Sequence, residues 1–257
     1  MGLRPLDLDE WLEVDVHREE DLALKRSLLT GRHADVVAVR TAGLAGSAET
    51  LDLVAAWLGR HHPGLPGPLP HPDLHPIDAA GRLVQEDLCV LTREESGWVL
   101  SAASVCFPSR WVLAEKIGRT VADIHEPVPG YERLSAVVDR SLDTLTVDRP
   151  LWRLNWTIVP SPDLHLPPAA GAPTVEELTV RVERQTLRRL RRSGAILFTI
   201  RTHRAPLSAV EAAPAVAERL RATLATVDPE TAAYKGWSQL LPALLERLGD
   251  DTRRAQA

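Results

Sequence analysis

The sequence predicts an α+β fold, a run of antiparallel strands set between helical ends. Three observations carry this. The first sixty residues show apolar spacing of helical period. Between residues 86 and 202 the period changes to two, with short polar turns between segments. Beyond residue 205 helical signals return, led by Asp228-Pro229-Glu230, an N-cap followed by proline in the first turn.

Taken in order, Asp7 and Glu10 have capping-box spacing ahead of Trp11 and Leu12. The charged stretch HREEDLALKRSLLTG runs to a glycine stop at Gly31. Ser47 and Thr50 open a third helix with Leu51, Val54, Trp57 and Leu58 on one side. Residues 63–76, dense in proline, form an extended crossing loop. Two strands, 86–91 and 97–107, are joined by a short turn as a hairpin. A short helix is expected over 109–119 and an irregular segment around Pro127, Pro129 and Gly130. A helix over about 131–146 follows, its apolar side formed by Leu134, Val137, Val138, Leu142 and Leu145. Strands at 152–159, 177–187 and 195–202 complete a five-stranded sheet. Alternation in the second of these puts Arg184 on the face of Val180 and Val182, the expected core side, where a guanidinium requires an anion. The expectation is one domain over 1–257, with helical extensions at 1–62 and 206–257.

Composition narrows the function. A net charge of −5 argues against a nucleic-acid partner reached by general electrostatics. Only Lys25, Lys116 and Lys235 among the 30 basic residues are lysines, and guanidinium suits planar carboxylate recognition. No apolar run has the length of a membrane span and the N-terminus has no secretory pattern, so a cytoplasmic protein is expected. Two cysteines, Cys89 and Cys106, supply neither a disulfide framework nor a ligand set for an iron–sulfur cluster. Nucleotide-binding loops of the GxGxxG and GxxxxGK[ST] types are missing, as are HExxH and GxSxG. His61, His62, His71 and His75 cluster in sequence but sit in or beside the proline-rich loop, and read as incidental loop histidines rather than zinc ligands. Both cysteines read as buried small hydrophobes. His125, between an apolar helix and a proline-stiffened turn, reads from spacing alone as a hydrogen-bonded structural histidine.

Four motifs change this reading. VCFPSRW (105–111), IHEPVPGY (124–131), NW (155–156) and RVERQTLRRL (181–190) occur in this order. With the opening RPLDLDEWLEVD they resemble, over about residues 4–205, the haem-dependent oxidative N-demethylase alpha-subunit-like family. The resemblance implies a PAS-like antiparallel sheet binding haem b. It also implies removal of a methyl group from a small amine with O2, releasing formaldehyde, with electrons from a separate reductase carrying NADPH, FMN and an iron–sulfur centre. The cysteine count and absent nucleotide loops agree that those electron carriers belong to another chain.

Under this resemblance His125 is the expected axial iron ligand, with Cys106 as the alternative. Arg184 is the expected propionate partner, with Arg181, Arg201 and Lys116 behind it. Glu183 and Gln185 would orient the amine or bound oxygen, an ion pair from Glu183 to a neighbouring arginine being the plain alternative. Trp111, Trp152 and Trp156 line the cofactor slot or fill the core. The sequence departs from the family pattern at Arg191, where a proline is usual, and at His203, where a tyrosine is usual. The second departure introduces another histidine and leaves the substrate open. A haem enzyme acting on an amino acid or other nitrogen-containing metabolite, and a PAS-like haem sensor, are the alternative functions; the absence of coiled-coil heptads weakens the sensor. No membrane partner is expected, and a homo-oligomer stays open.

Overall fold

The computed structural model of the chain describes residues 2–65, 67, 73–168 and 178–254. His71 and Glu177, each included in the sequence reading, lie outside the described residues. The centre is a sheet of seven strands, two more than expected, all paired antiparallel. They are β1 (Arg4–Pro5), β2 (Val37–Val39), β3 (Asp87–Glu94), β4 (Gly97–Ser104), β5 (Leu151–Val159), β6 (Thr179–Arg189) and β7 (Ile196–Pro206). Their order across the sheet is β1-β5-β6-β7-β3-β4-β2. The five long strands are those the alternation predicts. The two additional strands, two and three residues long, cap its edges.

Helices follow the predicted ends with local differences. The charged stretch forms α1 (Arg18–Gly31), followed by the single turn α2 (His33–Val36). The helix α3 (Leu44–His61) begins before Ser47 and Thr50, whose hydroxyls bond back to the Gly43 and Gly46 carbonyls inside the helix. The opening capping pair produces only a 3-10 turn at Leu8–Glu10, with Asp7 accepting from the Asp9 amide. Pro76 opens α4 (Pro76–Gly81), and of the extended loop expected before it residues 66 and 68–72 lie outside the described residues. The helix expected at 109–119 reduces to a 3-10 turn at Leu113–Glu115. Arg110 there holds a left-handed φ of 62° and its amide bonds to Leu166 O, both incompatible with helix. The segment expected to be irregular instead opens with α5 (Val121–His125), set by a reciprocal Thr120–Asp123 capping box. Next come α6 (Ser135–Thr144), α7 (Leu207–Glu211), α8 (Pro214–Leu224), α9 (Pro229–Tyr234) and α10 (Leu241–Arg254). Asp228 caps α9 as predicted, accepting from the Thr231 amide. No helix among the described residues is long and apolar enough to cross a membrane.

Both faces of the sheet are covered, by different parts of the chain. On one face Leu88, Val90, Ala102 and Leu197 meet Trp11, Val54 and Trp57 from the N-terminal region. On the other, Cys89, Leu91, Trp98 and Ile196 meet Val121, Leu142 and Leu145 from α5, α6 and the residue after it. The helices after β7 build a third core around Trp237, Leu224 and Leu244 against Ile158.

The N-terminal face buries charge as well as hydrocarbon. Lys25 is fully buried, donating to the carbonyls of Val84 (3.0 Å) and Glu86 and lying 3.8 Å from the Asp87 carboxylate. Arg201 pairs with Asp15 (2.6 Å) and Asp21 (3.3 Å), while Arg184 donates to the carbonyls of Glu10 and Trp11 and lies 3.5 Å from Glu13. His203 bonds to Glu13 at 2.8 Å on this same face. Residues 10–21 therefore supply most of the acceptors for the cations that β6 and β7 set on this face, Arg184, Arg201 and His203.

This network has an acid-stability signature. Burial works against ionisation of Asp15, but hydrogen bonds from Gln85, the His17 amide and Arg201 pull its carboxyl down to about 2 from an ordinary 3.8. A depressed folded-state pKa contributes stability above the unfolded value and loses it as pH falls through the folded one. Partial exposure discounts the full linkage, leaving about 1–2 kcal/mol to be lost between roughly pH 4 and pH 2. Asp15→Asn should flatten that part of the stability-versus-pH curve in urea melts; an unchanged slope would contradict the assignment.

Candidate active site

The site grows from the face carrying α5 and α6. Because side chains alternate, Asn155 pairs across the ladder with Glu183 and Arg153 with Gln185. Leu187, on the same side of β6, packs into the core that contains Val121 and Ile124 of α5. A polar chain thus lies on the α5 side of β5 and β6. Arg153 Nε donates to Gln185 Oε1 at 2.7 Å, and Gln185 Nε2 donates to Glu183 Oε2 at 2.9 Å. Asn155 Nδ2 reaches the same Glu183 oxygen at 3.4 Å, and Arg181 Nε stands 3.6 Å from the other.

His125 ends α5 and is held twice. Its Nδ1 lies 2.8 Å from the Val121 carbonyl, and its ring stacks on Tyr131 with centroids 4.9 Å apart and planes 16° from parallel. Gly130, at φ 71°, makes the left-handed step that brings Tyr131 back onto that ring. A carbonyl can only accept, so Nδ1 carries the proton and the neutral ring presents Nε2 as a lone pair. Burial lowers the imidazole's pKa; the Val121 bond opposes this, and the charges of Arg153 and Lys116 add to the lowering. The ring is therefore kept neutral, the form that ligates metals.

Two further observations describe the surroundings of His125, the candidate cleft. The Tyr131 hydroxyl is buried and meets no hydrogen-bond partner among the described residues. Arg153 is reachable by solvent, yet desolvation by the surrounding protein lowers its pKa, with Glu183 opposing. Arg153 is thus an exposed side chain whose charge is partly desolvated by its neighbours, and Tyr131 presents a buried polar atom with no partner among the described residues. Trp111, Ile117 and Ile124 are half-buried against the core that α5 covers on this face.

The expected site residues divide between the two faces. His125, Glu183 and Gln185 share one face, and Lys116 is close enough for its charge to act on His125. Arg184 and Arg201, paired with each other across β6 and β7, point to the opposite face. Their charge is matched there by Glu13, Asp15 and Asp21, so the anion an internal Arg184 demands is supplied by the chain itself, through Glu13 and two carbonyls. One cofactor bound at His125 would be separated from both arginines by the sheet. Arg181 lies on the His125 face, but its terminal nitrogens donate to the carbonyls of Leu164 (2.9 Å) and Phe107 and to the Thr202 hydroxyl, and its Nε is turned to Glu183 at 3.6 Å. Trp156 points away from Asn155 and stacks on Trp237 at 5.6 Å, and Trp152 joins the N-terminal core. Cys106 is fully buried in that N-terminal core, where burial pushes its thiol up to about 12. It is a thiol at neutral pH, away from the His125 face. Arg191 pairs with Asp148 at the surface, and nothing in the structure links it to the site.

Residues 66–245 match the family described as haem-dependent oxidative N-demethylase, alpha subunit-like. The chain belongs to that family. The match spans α4 to α10 and contains every residue of the His125 cleft, whereas the N-terminal segment that neutralises Arg184 and Arg201 lies outside it. Haem dependence in this alpha-subunit-like family sets a test for the cleft: a free nitrogen donor, apolar sides and spare polar groups must converge. His125 Nε2 and the Tyr131 hydroxyl, neither with a hydrogen-bond partner among the described residues, are the polar groups that fit it, and Trp111, Ile117 and Ile124 are the half-buried apolar residues of the same face.

Arg153, Asn155 and Tyr131 were not singled out from the sequence. The signal for two of them was available: in LWRLNWTIV, Arg153, Asn155 and Thr157 alternate with Trp152, Leu154 and Trp156. A strand with a polar row on a covered face marks a site.

Proposed function

We propose that this chain is a haem-dependent oxidoreductase that removes a methyl group from an amine. The observation that carries the reading is His125, whose Nδ1 is tied to a backbone carbonyl and whose Nε2 meets no hydrogen-bond partner among the described residues, with Arg153, itself bonded to Gln185, near enough for its charge to act on the ring. Haem b bound through His125 would supply O2 activation. In the overall change, the methylated amine, O2, two electrons and two protons yield the demethylated amine, formaldehyde and water.

The chain's own residues set the conditions. Val121 fixes the tautomer and Tyr131 the plane of the His125 ring, so the donor is preorganised. Trp111, Ile117 and Ile124, half-buried on the same face, would supply apolar surface to a bound group. Glu183, fixed by Gln185 and Asn155, offers a carboxylate to a substrate ammonium. Lys116, of the residues expected to meet propionates, is the one whose position fits that role. The alpha-subunit-like description supports a partner subunit, and a reductase carrying NADPH, FMN and an iron–sulfur centre would take that place because this sequence has two cysteines and no nucleotide-binding loop. The hairpin at one end of the sheet and the β5-β6-β7 meander at the other support a PAS-like single domain.

The test is NADPH-linked formaldehyde release from a panel of methylated amines by the purified, haem-loaded protein with a suitable reductase. Stoichiometric formaldehyde is expected; no turnover across the panel would overturn the reading.

A further inference from the structure

We propose that Arg153 is a carboxylate-binding residue of the His125 cleft. Six other arginines on β6 and β7 have their charge or ring face occupied. Arg181, Arg184, Arg189, Arg201 and Arg204 donate to carbonyls or carboxylates, and Arg188 lies over the Trp11 ring at 4.6 Å. Arg153 differs. Its Nε is fixed by Gln185 Oε1, while its two terminal nitrogens donate to no group among the described residues.

The guanidinium is thus oriented by one bond and open along its outer edge, the geometry a carboxylate meets with two parallel hydrogen bonds. Its partial desolvation strengthens any such contact. The local charge points the same way. Three cations, Arg153, Arg181 and Lys235, act on Glu183, and Lys116 acts with Arg153 on His125. Glu183 and, for Arg181, Asp87 answer part of this charge, but neither contacts the terminal nitrogens of Arg153, which can take a further anion. A simple alkylamine brings none.

The inference rests on the cleft being the binding site of the proposed function. Two sources share the required chemistry: a haem propionate, or the carboxylate of an N-methylated amino acid whose ammonium meets Glu183. The experiment separates them by titrating wild type, Arg153→Gln and Arg153→Lys with hemin and with hemin dimethyl ester, followed at the Soret band. The same proteins, haem-free and haem-loaded, are titrated calorimetrically with N-methylglycine and dimethylamine. Arg153 is solvent-reachable, and matching circular dichroism and melting curves establish that the variants fold.

If the source is a propionate, Arg153→Gln weakens hemin by at least about tenfold and leaves the dimethyl ester unchanged. If it is substrate, hemin binds all three proteins equally, while N-methylglycine binding falls by at least about tenfold and dimethylamine is unaffected. In either case Arg153→Lys, with charge but no planar fork, falls between. Equal binding of hemin and of N-methylglycine by wild type and Arg153→Gln overturns the inference. Should wild type bind no hemin, the haem reading fails by itself. N-methylglycine on the haem-free proteins then decides alone: loss in Arg153→Gln upholds the carboxylate site, and equal or absent binding overturns it.

Discussion

Lys25→Met should cost about 3–5 kcal/mol of folding stability, the range for removing one partner of a buried ion pair. Lys25 is fully buried and its ammonium serves three acceptors, the carbonyls of Val84 and Glu86 and the Asp87 carboxylate. Methionine matches its length but donates nothing. Asp87 would keep the amides of Cys106 (2.8 Å) and Phe107 (2.9 Å), yet lose its nearest cation in a dry interior. The two carbonyls would be left unpaired. Urea melts should show a lower midpoint with an unchanged slope. A loss below about 1 kcal/mol would mean that Lys25 is not the counter-charge of this interior.

Glu183→Gln tests the amine side of the proposal. The substitution keeps the shape and the contacts to Gln185 and Asn155 but removes the negative charge. Arg181 retains the Leu164 and Phe107 carbonyls, so the strand stays anchored and the loss of stability should be about 1 kcal/mol. Losing a charge-assisted hydrogen bond to an ammonium is worth about 1.5–3 kcal/mol, which predicts amine binding weakened about tenfold to a hundredfold. Binding measured by calorimetry on haem-loaded protein should show this, with hemin affinity untouched. Amine affinity equal to wild type would remove Glu183 from the site.

The five long strands were legible because each carries enough residues for a period of two to show. β1 and β2, with two and three residues, have no period to read, and they form only because an edge is available to pair with. α5 was concealed by Pro127 and Pro129, although the Thr120–Asp123 pair that starts it has capping-box chemistry. The helix expected at 109–119 failed for a tertiary reason: the Pro108 carbonyl accepts from the Leu166 amide and the Arg110 amide donates to the Leu166 carbonyl, more than fifty residues on.

The site shows the same division. Alternation correctly put Arg184 with Val180 and Val182 and, by the same rule, Glu183 with Gln185 on the other side. What covers each face is not a local property. The acceptors of Arg184 come from Glu10, Trp11 and Glu13, over 170 residues away, so a guanidinium that looked short of an anion already had one. Arg153 is the converse, an ordinary strand arginine in sequence whose open edge is apparent only once Gln185 and the α5 side are in place.

The central claim is that His125 supplies the iron ligand, and a hemin titration of the haem-free protein tests it most directly. Wild type should take up one equivalent with a sharp Soret band that shifts on dithionite reduction. His125→Ala should lose that band or shift it strongly, while its circular dichroism stays native and added imidazole restores the spectrum. The same Soret band in His125→Ala as in wild type, oxidised and reduced, would contradict the account.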